Sequence, residues 1–157
     1  DRIGEAMLQD PLTGLGNRRR LDLALGDAEP ESAVFIDVDD FKAVNDAYSH
    51  AVGDEVLRGV AEVLRSASRE GDVVVRYGGD EFVILPQGGP DAALAVADRV
   101  HRAMSERRWE QISPGLAVTV SIGVGRTNPA HGAMAAADDA LIAAKRAGRD
   151  RVVHDAL

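Results

Sequence analysis

The sequence contains no cysteine, and aromatic residues make up only 4% of its 157 residues. Disulfide bonds and thiolate chemistry are therefore excluded, and a zinc site would depend on histidine and carboxylate side chains alone. The sequence also lacks an apolar run long enough to span a bilayer and shows no signal-peptide pattern. We expect a cytoplasmic segment without direct membrane contact, with any anchor or sensor of a longer protein upstream of the first residue.

Positive charge is also scarce, because 26 acidic residues outnumber 18 lysines and arginines and give a net charge of -8. This balance argues against non-specific binding to nucleic acids, which requires a basic surface. A small anionic ligand remains compatible with it, since local cations or a metal ion can reverse the field at one site. The hydrophobic fraction of 45% is that of an ordinary globular domain.

Hydrophobic periodicity and turn residues divide the chain into alternating helices and strands. Residues 1–9 resemble the end of an incoming linker helix, and 10–157 are expected to form one α+β domain with helices packed on a sheet. Gly78 and Gly79 separate two apolar runs and favour a hairpin with a type I′ turn, which requires positive φ angles. We predict helices at 17–25, 40–47, 53–67, 91–105 and 133–147, and strands at 32–38, 73–75, 83–85, 116–125 and 151–154.

Carboxylates lie at or near the ends of two of the predicted strands. Asp37 lies near the end of the apolar stretch 32–38, and Asp80 and Glu81 follow the Gly-Gly turn. Taken alone, an aspartate near a turn is most often a cap or a solvated loop residue. If the two strands are neighbours, however, Asp37 and Asp80 converge and repel unless a proton or a cation lies between them. Oxygen ligands of this kind suit Mg²⁺, which completes its coordination with phosphates and water.

Six stretches together resemble the GGDEF domain of the diguanylate cyclase family. They are DPLTGLGNRR, FIDVDDFKAVND, HAVGDEVL, RYGGDEF, TVSIGV and AKRAGRDR, in that order between residues 10 and 151. The resemblance implies an α+β nucleotidyl-cyclase fold related to the palm of polymerases. It also implies that two GTP molecules are joined into cyclic di-GMP by a homodimer whose protomers each hold one GTP, with Mg²⁺, or alternatively Mn²⁺, as cofactor.

The resemblance assigns roles to individual residues at the acidic cluster. Asp37, Asp80 and Glu81 match the catalytic and metal-binding carboxylates, and Val38 matches a position that offers its backbone carbonyl to the metal. Gly78 and Gly79 match glycines that allow a ligand to approach closely.

Other residues match the family positions that hold the nucleotide. Asn45 and Asp54 match the readers of guanine, and Phe41 and Lys42 match a loop whose backbone N–H groups hold phosphates. Lys145 and Arg149 match cations that bind the triphosphate, one helical turn apart if the helix continues to residue 149. Without the resemblance, the residues themselves favour helix caps as the explanation for Asn45 and Asp54, and charges balancing a helix C-terminus for Lys145 and Arg149.

Arg69 and Asp72 form an RxxD motif ahead of the hairpin, which resembles the family's inhibitory site for cyclic di-GMP. Arg99 resembles a secondary arginine of that site. A single RxxD is otherwise typical of a surface ion pair or a turn. The sequence departs from the family pattern at Ser49, where glycine is usual, and at Ile142, where tyrosine is usual. The leading hypothesis is an active, product-inhibited diguanylate cyclase; the alternative is a catalytically silent domain that binds GTP or cyclic di-GMP as an effector.

Overall fold

The computed structural model describes residues 7–154, in which five strands form a mixed sheet with helices on both faces. The strand order is β2-β3-β1-β4-β5. All neighbours are antiparallel except β4 and β5, which run parallel. The strands are β1 (Ser32–Val38), β2 (Val73–Arg76), β3 (Glu81–Leu85), β4 (Val120–Arg126) and β5 (Arg151–His154); the helices are α1 (Arg18–Asp27), α2 (Phe41–Ala47), α3 (His50–Ala67), α4 (Pro90–Glu106) and α5 (Ala133–Arg146).

Strand β1 is the centre of the sheet, and all seven of its residues are buried. Because side chains alternate between the faces of a strand, its residues join two separate cores. Val34 and Ile36 pack with α3 and α4, whereas Ala33 and Phe35 pack with α1 and α5. Asp37 has the same parity as Phe35. Its side chain is therefore directed to the face covered by α5.

Two glycines on β4 let α5 pack directly on the sheet. A Cβ atom on Gly123 or Gly125 would collide with the backbone of α5. The absence of side chains at these two positions therefore allows the backbone of α5 to pack in direct contact with β4. This close packing carries the C-terminal end of α5 towards the end of β1.

Trp109 packs on the other face of the sheet, in the core formed with α3 and α4. It lies in a short 3₁₀ turn (Trp109–Gln111) after α4 and is buried. Its indole Nε1 donates a hydrogen bond of 3.0 Å to the carbonyl of Met104. The ring also lies against Gly59, where a Cβ atom would come within 2.8 Å of it. Trp109 is therefore a packing residue between α3 and α4.

Most predicted elements are confirmed, and the differences lie at their ends. Strands 32–38 and 151–154 have the predicted bounds, and Asn17 caps α1 by accepting a hydrogen bond from the backbone N–H of Arg20. Helix α3 begins at His50, three residues before the predicted start, because the Ser49 hydroxyl caps it. Of the predicted incoming helix, residues 1–6 lie outside the described part, and Met7 to Gln9 form a turn and a β-bridge to Gly16.

The prediction of a type I′ turn at Gly78 and Gly79 is wrong, because neither glycine has a positive φ angle. Four residues connect the strands, and the backbone N–H of Tyr77 donates to the carbonyl of Glu81 over 2.7 Å. We name residues 77–80 the signature loop. In the described range 7–154, no helix has the length and hydrophobicity required to cross a membrane.

Candidate active site

The acidic residues of two strands meet where β1 ends and β3 begins. Asp37 and Glu81 are directly paired across these strands, and the backbone N–H of Val38 donates to the carbonyl of Asp80 over 3.0 Å. Asp80 and Glu81 are both half-buried. The sheet register thus confirms the convergence of Asp37 with the signature loop that the sequence predicts.

Lys145, near the end of α5, forms an ion pair with Asp37. Arg149 lies 3.9 Å from Asp40, measured from its Nε to the carboxylate Oδ1. The helix does not continue to residue 149, which was the condition for Lys145 and Arg149 to lie one helical turn apart: α5 ends at Arg146, and Arg149 has a φ angle of 66°. A left-handed turn, and not a helix, places Arg149 beside the acidic cluster.

These groups surround an open cleft of about 250 Å³. It combines carboxylates from the strand ends, the first residues of α2, and two cations from α5 and the turn that follows. Such a mixture of charges can hold an anionic ligand and a cation together. The lining residues are Asp37, Val38, Asp39, Asp40, Phe41, Lys42, Asp80, Lys145 and Arg149.

The electrostatics of Asp37 follow from its position at the base of the cleft. Burial raises the pKa of its carboxyl to about 6, with the charges of Asp80 and Glu81 adding to the increase and Lys145 opposing it. Burial lowers the pKa of Lys145, but its hydrogen bond to Asp37 and the three nearby carboxylates raise it to a net value above the ordinary one. Lys145 therefore carries its positive charge at neutral pH.

One oxygen of Asp37 has no hydrogen-bond partner. Its Oδ1 atom is buried and accepts no hydrogen bond in the described part of the chain. A buried, unpaired carboxylate oxygen is costly unless a cation or donor completes it. Within residues 7–154, no group of three or more acidic or histidine side chains is arranged to hold a metal ion by itself. Asp37, with its unpaired oxygen, and Asp80 on the same cleft fit Mg²⁺, which typically uses one or two carboxylates and takes further ligands from phosphates and water.

The side chain of Asn45 lies against Gly53, the residue before Asp54. Space for the Asn45 carboxamide exists only because residue 53 lacks a Cβ atom, which would collide with Oδ1 of Asn45. Neither residue is a helix cap, since Asp40 precedes α2 and Ser49 caps α3. The interpretation of this pair as caps is therefore wrong.

Gly78 and Gly79 differ in their surroundings. A Cβ atom on Gly79 would meet open space, whereas one on Gly78 would collide with the carboxylate of Glu81. Glu81 is thus folded back over the signature loop. Gly79 has an open side with no neighbouring atoms.

Arg69, Asp72 and Arg99 line a separate small cavity of about 50 Å³. The carboxylate of Asp72 accepts hydrogen bonds from the backbone N–H groups of Arg69 at 2.8 Å and of Gln87 at 2.9 Å. Arg99 donates to the carbonyl of Ala67 through two nitrogens at 3.0 and 2.8 Å. This cavity lies where β2 begins and β3 ends, at the opposite end of the hairpin from the acidic cluster.

Arg76 and Asp10 are structural supports of the signature loop that the sequence did not identify. The guanidinium of Arg76 donates to the carbonyl of Gly79 over 3.1 and 2.7 Å and forms an ion pair of 3.2 Å with Asp10. Asp10 also accepts hydrogen bonds from Thr13. Asp10 and Arg76 are 66 positions apart, so local pattern gives no signal for their contact. The sequence shows only that each residue begins one of the motifs quoted above, Asp10 in DPLTGLGNRR and Arg76 in RYGGDEF.

A sheet of this order, flanked by helices and ending in carboxylates on adjacent strands, is the palm-like nucleotidyl-cyclase fold. A family model described as "Diguanylate cyclase, GGDEF domain" matches residues 7–151. The chain therefore belongs to the GGDEF domain family.

Curated relatives carry the same family's names. Diguanylate cyclase A of Treponema denticola is 40% identical over 129 residues, which cover 79% of this chain and 35% of the relative. Diguanylate cyclase DgcM of Escherichia coli is 38% identical over 167 residues, which cover 98% of this chain and 40% of the relative. The chain thus spans two fifths or less of the length of these relatives.

Solved structures show the same architecture. The coiled coil and GGDEF domain of DgcB from Caulobacter crescentus, in complex with c-di-GMP, matches with a TM-score of 0.87 and 31% identity over 98% of this chain and 88% of that one. The diguanylate cyclase SiaD of Pseudomonas aeruginosa, in complex with its activator SiaC, matches with a TM-score of 0.84 and 36% identity over 98% of this chain and 64% of that one.

Proposed function

We propose that this domain joins two molecules of GTP into cyclic di-GMP and releases two molecules of pyrophosphate. The observation that carries the proposal is the buried, unpaired Oδ1 of Asp37, which lies beside Asp80 and Lys145 at the base of an open cleft. Membership of the GGDEF family and the names of the relatives support it.

Asp37, Asp80, Glu81 and the backbone carbonyl of Val38 would hold Mg²⁺, or alternatively Mn²⁺. When bound, the metal supplies charge neutralisation and a lowered pKa for the attacking hydroxyl. In each step the 3′-hydroxyl oxygen of one GTP forms a bond to the α-phosphorus of the other. The bond to pyrophosphate breaks, and the hydroxyl proton is lost.

Positioning and electrostatics are expected to account for most of the catalysis. Lys145 and Arg149 would hold the triphosphate, and the backbone N–H groups of Phe41 and Lys42 would contact its oxygens. Gly79, which faces open space, leaves room for the ligand.

We further propose that Asn45 and Asp54 read the guanine base. An aspartate can accept hydrogen bonds from guanine N1–H and from its exocyclic amine, and asparagine can donate or accept. Each domain would hold one GTP, so the active unit would be a homodimer with two facing sites.

Product feedback forms a separate part of the proposal. Arg69, Asp72 and Arg99 would bind cyclic di-GMP at the far end of the hairpin, away from the acidic cluster. Their shared cavity and the c-di-GMP complex of DgcB support this assignment.

The decisive experiment incubates the domain with GTP and Mg²⁺ and identifies the product by mass spectrometry. The domain is assayed alone and fused to a dimeric coiled coil, so that weak self-association does not hide activity. We expect cyclic di-GMP from the fused domain and none without a divalent metal. A fused, folded domain that binds GTP or cyclic di-GMP but makes no product would instead establish the silent effector.

A further inference from the structure

The turn that carries Arg149 has an unusual backbone. Gly148, Arg149 and Asp150 have consecutive positive φ angles of 121°, 66° and 49°. Residues with a Cβ atom rarely adopt this region, and they stay there only when surrounding contacts hold them. The direction of the Arg149 side chain therefore depends on whatever fixes this turn.

Two residues from other elements hold the turn at Asp150. The backbone N–H of Asp150 donates to Oδ2 of Asp39 over 3.0 Å. On the other side, Nε2 of His101 in α4 lies 3.0 Å from Oδ1 of Asp150 and 3.1 Å from its carbonyl oxygen. The turn is thus tied both to the end of β1 and to α4.

Hydrogen bonds within the protein occupy both carboxylate oxygens of Asp39, so neither is left unpaired for a metal ion. Asp39 is buried, and its Oδ2 also accepts from the hydroxyl of Thr119 at 2.7 Å, while Oδ1 accepts from Ser121 at 2.6 Å. Both oxygens are therefore engaged with β4 and the residue before it. Asp37, two positions earlier, has the opposite arrangement, with an oxygen left unpaired.

We propose that Asp39 is a positioning residue that holds Arg149 at the cleft through the backbone of Asp150. The inference rests on the proposed function, in which Arg149 contacts the GTP triphosphate. Asp39 joins the ends of β1, β4 and β5, and the turn it fixes places Arg149 within 3.9 Å of Asp40. Without this acceptor, the left-handed turn relaxes and Arg149 leaves the cleft.

Two substitutions separate this role from that of a metal ligand. Asp39→Asn keeps an oxygen for Thr119 and for the N–H of Asp150, and its amide can donate to the Ser121 hydroxyl. Asp39→Ala removes all of these partners. A metal ligand would lose its function in both variants, because a neutral amide replaces a carboxylate poorly at a hard divalent cation.

The test measures binding of α,β-methylene-GTP with Mg²⁺ by calorimetry, together with KM and kcat for GTP. Asp39→Ala should weaken analogue binding about tenfold or more, by loss of one charged contact to the triphosphate. It should raise KM more than it lowers kcat. Asp39→Asn should stay within about threefold of the original affinity. In an Arg149→Ala background, Asp39→Ala should have no further effect on binding, because the contact it supports is already gone.

Thermal denaturation accompanies each variant. If Asp39→Ala does not fold, Thr119→Val replaces it, since it removes one donor that orients Oδ2 and should weaken binding only when Arg149 is present. Equal losses in Asp39→Asn and Asp39→Ala, or a full further loss in the Arg149→Ala background, would overturn the positioning role alone. A folded domain that binds no analogue would overturn the proposed function and this inference with it.

Discussion

Asp80 is the residue at which activity and folding separate most clearly. Its half-buried side chain lines the open cleft, whereas its backbone carbonyl accepts a hydrogen bond from the N–H of Val38 and so holds β1. Asp80→Ala should therefore leave the fold intact and lower the rate of product formation about 100-fold or more, since metal charge stabilisation contributes several kcal/mol. Product is measured by chromatography, with the exposed Glu110→Ala as control. Near-normal turnover in both Asp80→Ala and Glu81→Ala would refute the metal assignment.

Gly53 leaves room for the side chain of Asn45, one of the two residues that we propose to read guanine. Alanine is ordinarily favoured over glycine within a helix, but here its Cβ atom would displace the Asn45 carboxamide. Gly53→Ala should reduce the preference for GTP over ATP about tenfold or more, and Asp54→Ala should act in the same direction. Competition binding of the two nucleotides measures the ratio. Gly26→Ala, where a Cβ atom meets open space, is the matched control; an unchanged ratio in Gly53→Ala would mean that another residue reads the base.

At the scale of elements, the turn at Asp10 and the signature loop support each other through Arg76. Burial raises the pKa of Asp10, but hydrogen bonds from Thr13 and the charge of Arg76 outweigh it, so the net pKa lies below the ordinary value of 3.8. A depressed pKa adds stability that is present above 3.8 and is lost as the pH falls through the folded value. Asp10→Asn should therefore lower the free energy of unfolding at pH 7 by about 1–2 kcal/mol.

Urea denaturation at several pH values measures this effect. The difference between the original protein and Asp10→Asn should be constant above about pH 5 and should shrink below pH 4, as Asp10 is protonated. Arg76→Gln should show a similar loss at pH 7. A difference that does not change with pH would mean that the Asp10 charge does not contribute.

The elements that the sequence predicted best are those whose pattern is local. The apolar stretch of β1 and the small-residue helix α5 carry their own signals. The start of β4 was predicted too early, at residue 116, because Leu116 and Val118 are buried as strand residues would be. They have no ladder partner, since β1 pairs with β4 only as far as Val38 and Val120 and then turns into α2.

The candidate site was predicted only in part, because some of its contacts join residues that are far apart in the sequence. Convergence of Asp37 with Asp80 follows if two predicted strands are neighbours, and the sheet register bears this out. The contact of Asp39 with Asp150 spans 111 positions and depends on where three strands end. No local pattern distinguishes Asp39, with its oxygens engaged, from Asp37, with one oxygen unpaired.

At the scale of the whole molecule, the proposed reaction would require two domains. If each holds one GTP, the rate per protomer should rise in proportion to protein concentration while most of the domain is monomeric. Fusion to a dimeric coiled coil should remove this dependence. Rates measured over a hundredfold dilution series, with light scattering for the oligomeric state, test the expectation. Constant specific activity in the monomeric range would argue against a dimeric active unit.

The two ends of the β2–β3 hairpin should have separable functions. Arg69→Ala should weaken binding of cyclic di-GMP about tenfold or more, because the planar guanidinium donors to guanine or phosphate are lost. The initial rate with GTP should change little, since Asp80 and Glu81 lie at the other end. Calorimetry with cyclic di-GMP measures the affinity, and the exposed Arg58→Ala is the control. Equal affinities, or no binding to the original protein, would exclude an inhibitory site here.

Trp109, the single tryptophan of the chain, is an intrinsic fluorescent probe of folding. The indole is buried between α3 and α4 and is absent from the residues that line the acidic cleft. Its emission should shift to longer wavelength only when α3 and α4 separate and water reaches the ring. Fluorescence of the unlabelled protein therefore gives the fraction unfolded, so that a loss of activity in any variant can be assigned either to the site or to the fold.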